Sequence, residues 1–206
     1  MLNISRIIAG QLSMPSGIFA NFAGFIWNRR NAALNDTVFD LLALCPTDRV
    51  LDIGFGGGYL LNRIMPVVTD GLAAGVDVSA AMVGHAEKRF QKAINAGKLE
   101  LKCATAEHLP YPDKYFNKVC STNSIFYWQN AELGFREIKR VLKPGGKIML
   151  CFTNKTSLEA KSFAKHIRLF EAEAVEQILG KFGFQDIKTS SFSDNHRQYC
   201  CITARA

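Results

Sequence analysis

At 206 residues, 48% of them hydrophobic and 21% charged, the chain has the size and balance of one globular domain with a sizeable core. The net charge of +7 is spread along the chain; such a balance can assist binding to RNA, anionic lipid or acidic substrates but selects none of them. No apolar run reaches the roughly 18 residues of a membrane span, and the six cysteines show neither C-x-x-C spacing nor a paired His pattern, which argues against a metal site.

The longest apolar candidate near the start, Gly17 to Trp27, is short and is followed by Arg29 and Arg30. It lacks a charged front and a small-residue cleavage site, so a cytoplasmic protein is expected. Within this stretch Ile18, Phe22, Phe25 and Ile26 recur at helical spacing. A second helix is expected from about Asn31, with Leu34, Val38, Leu41 and Leu42 on one face and Pro46 ending it. Each helix can either pad the sheet or cover a ligand site; packing is favoured for the second.

The chain is organised around Arg49 to Leu61, RVLDIGFGGGYLL. A short apolar run, a glycine-rich turn and an apolar helix start open an α/β nucleotide-binding unit. Glycines there let a ligand lie against the backbone, and helix-initial N–H groups favour an anionic group. A dinucleotide fingerprint needs a small residue where this chain has Tyr59 or Leu61, so an NAD-dependent oxidoreductase is disfavoured. The spacing that fits is acidic-x-G-x-G-x-G, on Asp52, Gly54, Gly56 and Gly58.

A helix from Tyr59 to about Met65 is expected next, then a strand from Ala73 to Val78. Ser79 is the expected N-cap of a long helix through Asn95. Asp77, about 20 residues past the glycines, stands where a carboxylate accepts hydrogen bonds from ribose hydroxyls. A third strand, Leu99 to Cys103, leads into Thr105-Ala106-Glu107-His108-Leu109-Pro110. A fourth, Tyr115 to Thr122, ends at Asn123, with Tyr127 and Trp128 beyond. An amphipathic helix, Glu132 to Leu142, then reaches Lys143-Pro144-Gly145-Gly146, read as a tight return to a fifth strand, Lys147 to Phe152. A helix from about Glu171 to Phe182 and strands Ile187 to Phe192 and Gln198 to Thr203 close the chain.

Together the glycine turn, Asp77, the Ala106–Pro110 loop and the Pro144-Gly145-Gly146 return resemble the class I, Rossmann-like S-adenosylmethionine-dependent methyltransferases. The nearest likeness is to the small ubiquinone/menaquinone-biosynthesis-type group. The resemblance implies an α/β fold: a doubly wound, seven-stranded, mostly parallel sheet with the last strand antiparallel and helices on both faces. It implies one methyltransferase domain over residues 1–206, with 1–44 as an N-terminal helical cap. S-adenosylmethionine is the implied cofactor, held by Asp52, Gly54, Gly56, Gly58, Asp77, Val78, Thr105, Ala106, Glu107, Thr122 and Asn123. Thr105 stands where the family usually has Asp, which weakens the expected contact with adenine. Tyr127, Trp128 and Phe22 are implied to shape the pocket of a small-molecule acceptor; for Trp128, packing under the next helix is an equal alternative. No general base is marked. A nucleic-acid methyltransferase and a non-catalytic S-adenosylmethionine-binding protein stay open as alternatives, although the Asn/Asp-Pro-Pro-aromatic motif of amino-methylating enzymes is missing after the fourth strand.

Overall fold

The computed structural model describes residues 31–206. Helix α1 (Ala32–Leu42) carries Leu34, Val38 and Leu42 on one face, all fully buried, and stops where Ala43 turns left-handed. Strand β1 (Arg49–Ile53) follows, then α2 (Tyr59–Ile64), β2 (Leu72–Asp77), α3 (Ala80–Arg89), α4 (Gln91–Asn95) and β3 (Leu99–Cys103). The second half contributes β4 (Phe116–Thr122), α5 (Ala131–Val141), β5 (Leu142–Thr153), the short α6 (Lys155–Glu159), α7 (Ala172–Lys181), β6 (Gln185–Ser193) and β7 (Gln198–Arg205).

The strands form one seven-stranded sheet in the order β3-β2-β1-β4-β5-β7-β6, with β7 antiparallel to both neighbours. Successive side chains of β1 feed opposite faces, as a pleated strand requires. Leu51 and Ile53 join a core with Phe135, Ile138, Val175 and Leu179 from α5 and α7. Val50 joins a second core with Leu34, Val38, Leu60, Leu61 and Phe90 from the α1–α3 side. The sheet is therefore wound on both faces, and β1 lies beside β4 where the winding direction reverses. Ligands of open α/β sheets collect at the carboxyl ends of the strands at such a switch point.

Two local expectations are revised, and one element is added. The helix expected to run from Ser79 to Asn95 is two helices, broken at Phe90, which leaves the helical region at φ −107°, ψ 17°. The Pro144-Gly145-Gly146 return lies inside β5, because Leu142 already pairs with Phe116 before the register shifts to Lys147 opposite Lys118. Gly145 takes φ +73° within that irregularity. The short α6 is the added element. Ser79 does cap α3, its hydroxyl accepting the N–H of Met82 at 3.3 Å. The helix expected on Ile18, Phe22, Phe25 and Ile26, with its choice between padding the sheet and covering a ligand site, lies outside the described residues. Within the expected cap, α1 packs as core.

Candidate functional site

A cavity of about 570 Å³ crosses the carboxyl ends of the strands, a size suited to a small molecule or cofactor. Its walls come from the ends of β1, β2, β4 and β5, from the loop after β3, and from segments near α6 and the β6–β7 turn.

The glycine turn forms its floor. β1 hands the chain to Gly54, whose N–H bonds Val76 O of β2 at 2.8 Å. Gly54 and Gly56 take φ +76° and +52°, in the left-handed region that favours glycine. A Cβ on Gly54 would meet Ser124 Cβ at 2.4 Å, whereas one on Gly56 would meet nothing within 4 Å. The backbone at Gly56 is thus bare toward open space, a surface against which a ligand can lie. Gly58 has another task. It does not line the cavity, and a Cβ there would meet Phe90 Cε2 at 2.7 Å. Its small size seats Phe90 against the start of α2.

Asp77 ends β2, buried to 8% exposure. Its Oδ2 accepts Gly56 N–H and its Oδ1 accepts Ser79 N–H, each at 2.9 Å. Two backbone donors fix the carboxylate and leave further lone pairs for ligand hydroxyls. Burial raises its pKa, and the two N–H donors oppose the rise. Asp52, at 2% exposure, sits deeper. Burial, helped by the neighbouring Asp77 charge, pushes its carboxyl up to about 8. A cation arriving beside Asp52 would favour its ionised form. Val78 is 38% exposed at the rim, unusual for its size.

Ala104, Thr105, Ala106 and Glu107 form the wall after β3. Glu107 Oε1 accepts the N–H of Asn130 at 3.0 Å, so part of this carboxylate positions the start of α5. The loop is held from behind. Arg140 donates to the carbonyls of Leu109 and Tyr111 at 2.9 and 2.8 Å, and Glu137 accepts Leu109 N–H at 3.0 Å. Arg140 lies in the amphipathic helix, and nothing in its local sequence marks this reach.

Beyond the switch point, Thr122, Asn123 and Ser124 line the cavity. Asn123 is left-handed, φ +53°, a conformation its type tolerates. Its Oδ1 accepts Thr153 N–H at 2.8 Å, and its Nδ2 donates to Asn31 Oδ1 at 3.1 Å. Thr122 Oγ1 is buried with no hydrogen-bond partner among the described residues. Tyr127 lines the cavity, and burial pushes its hydroxyl up to about 12. Trp128 lines the cavity, and its ring also packs edge-on to Phe135 while its Nε1 donates to Ser124 Oγ at 3.1 Å. The cavity also gathers Asn31, Asn35, Phe163, Ile167, His196 and Arg197, which no sequence motif singles out. Of the expected site residues, Gly58 falls outside the lining, and Phe22 lies outside the described residues.

The bare Gly56 backbone, the fixed Asp77 carboxylate and the buried Asp52 suit a ligand with hydroxyls and positive charge. Comparisons with known proteins point the same way. A model described as a methyltransferase domain matches residues 51–150. An uncharacterized methyltransferase of Bacillus subtilis, YdaC, is 28% identical over 183 residues, covering 89% of this chain and 97% of that one. The 27-O-demethylrifamycin SV methyltransferase of Amycolatopsis mediterranei is 34% identical over 117 residues, or 57% of this chain. The chain spans only 43% of that relative's length. Among solved structures, a SAM dependent methyltransferase from Aquifex aeolicus superposes with a TM-score of 0.68 at 20% identity, covering 83% of this chain and 88% of that one.

Proposed function

The chain belongs to the class I S-adenosylmethionine-dependent methyltransferases, and on that premise we propose that it methylates a small-molecule acceptor held at the β5–β7 end of the cavity. When bound, the cofactor supplies a methyl group already activated by a sulfonium centre.

The chain's own residues then have mainly to bind, orient and exclude water. Asp77 accepts the ribose hydroxyls with the lone pairs that Gly56 and Ser79 leave open. The backbone from Gly54 to Gly57 would support the amino-acid tail, and Asp52 would balance its positive charge. Val78 and Ala106 would hold the adenine, with the Thr105 hydroxyl as a neutral hydrogen-bonding partner. Thr122 and Asn123 stand at the crossing between cofactor and acceptor. Tyr127 and Trp128 limit the space where the acceptor's reacting atom can sit. Alignment of this kind can contribute about 7–11 kcal/mol to lowering a barrier, so no general base is required unless the acceptor must lose a proton.

The observation that carries this reading is the Asp77 carboxylate, buried and fixed by two backbone donors beside the bare Gly56. A small-molecule acceptor is supported by the volume of the cavity and by the rifamycin-directed relative. Calorimetry with S-adenosylhomocysteine and NAD tests the site: the first is expected to bind and the second not. Transfer of a labelled methyl group is then measured against small molecules and RNA. Transfer to RNA alone would overturn the acceptor class.

A further inference from the structure

The two ends of the cavity differ in charge. Its lining carboxylates, Asp52, Asp77 and Glu107, belong to β1, β2 and the loop after β3. At the β5–β7 end the lining instead offers Lys161, His196 and Arg197 beside an apolar wall of Phe126, Tyr127, Leu158, Phe163 and Ile167. Arg197 is held in place there. Its Nη1 donates to Asn31 Oδ1 at 3.0 Å and lies 3.4 Å from Thr153 Oγ1, and its side chain is 14% exposed.

The nearest acid is Asp194, and it is shared. Its Oδ2 lies 3.4 Å from Arg197 Nε, while its Oδ1 accepts the N–H groups of His196 and Arg197 at 2.7 and 2.9 Å. Lys161 is exposed and forms no ion pair with any described residue. Among the described residues, one shared carboxylate thus stands beside these two permanent cations.

We propose that the methyl acceptor is an amphiphilic small molecule with an anionic group, a carboxylate or a phosphate, bound by Lys161 and Arg197, and an apolar body lying on Phe126, Phe163 and Ile167. This rests on the reading of the β5–β7 end as the acceptor site. A partly desolvated guanidinium forms strong, charge-assisted hydrogen bonds to such anions. A cationic acceptor would meet like charge at this end. The same polarity orients the molecule, with its anion toward the β6–β7 turn and its other end toward Asn123.

The test uses the full chain saturated with S-adenosylhomocysteine, in a buffer free of phosphate and carboxylates. Three probes of equal length (octanoate, octanamide and octylammonium) are titrated calorimetrically. Octanoate is expected to bind at least about tenfold more tightly than octanamide, with octylammonium weakest. Lys161→Met, at an exposed position that folding does not need, should reduce that preference, and Arg197→Met should abolish it. Arg197→Lys should retain part of it. S-adenosylhomocysteine affinity should stay within about twofold in Lys161→Met, whose native side chain bonds no described residue of the cofactor end. Arg197 shares Asn31 with Asn123, so its variants are compared by their octanoate-to-octanamide ratio in the saturated protein. Octanoate binding no tighter than octanamide, including no binding of either, overturns the proposal. So does a preference that survives Lys161→Met undiminished. If the wild-type chain fails to bind S-adenosylhomocysteine, the functional reading itself falls; if it binds and only the octanoate preference is missing, this inference alone falls.

Discussion

The two ends of the cavity are built by different means. The β1–β3 end comes from short contiguous stretches at the ends of parallel strands: Asp52 to Gly57, Asp77 to Val78, and Ala104 to Glu107. Backbone does much of the work there, as in the N–H of Gly56 that holds Asp77. The β5–β7 end is a meeting of side chains from distant segments, such as Asn31 and Arg197, 166 positions apart. A backbone-built site depends on turn conformation, so few residue types will serve. A side-chain-built site can change its chemistry one residue at a time while the sheet stays intact. That division suits a family with one cofactor and many acceptors.

The sharpest way to break this comparison is to fill the bare backbone. Gly56→Val is expected to weaken S-adenosylhomocysteine binding at least about 100-fold, because it adds bulk in the cavity and strains a positive φ. Gly97 is the control: it too has positive φ, +68°, and open space around its Cβ, but it does not line the cavity. Gly97→Val should lose thermal stability and keep its affinity in calorimetry. Equal loss of affinity in both variants would mean that strain, and not the site, is being measured.

Asp77→Ala should follow, weakening S-adenosylhomocysteine by about 1.5–3 kcal/mol, the scale for hydrogen bonds to a charged partner. Calorimetry returning an unchanged affinity would remove Asp77 from ribose binding.

Asp52 sharpens the comparison through pH. Its folded carboxyl is raised to about 8 from 3.8, so between these values the folded state holds a proton that the unfolded chain has released. Rising pH therefore takes stability away across that window, and the loss is complete above about 8. Asp52→Asn carries no such charge. It should match the wild type near pH 4 and exceed it by several kcal/mol at pH 9 in denaturant unfolding without ligand. Parallel stability curves for the two proteins would show that Asp52 ionises normally when folded.

The smallest effect is expected at the other end. Tyr127→Ala should slow methyl transfer about tenfold through looser alignment, while S-adenosylhomocysteine affinity changes less than about twofold. Once an acceptor is in hand, an unchanged rate at saturating cofactor would return Tyr127 to a packing role.

The sequence by itself determined the parts set by local rules. Alternation and turn residues located β1, the glycine turn, β2 with Asp77 at its end, and the Ser79 cap, because φ/ψ preference and side-chain period act within a few residues. Only the tertiary structure decided where the spare groups went. Gly58, identical in type to its neighbours, turned to Phe90 because the start of α2 meets that ring. Glu107 gave one oxygen to Asn130, and Arg140 reached back to clamp the loop before β4. The basic end of the cavity exists because β7 enters antiparallel beside β5, which brings the β6–β7 turn next to Thr153 and Asn31. Encounters of that kind depend on strand order and register across the whole chain, and side-chain periodicity within a single segment carries no record of them.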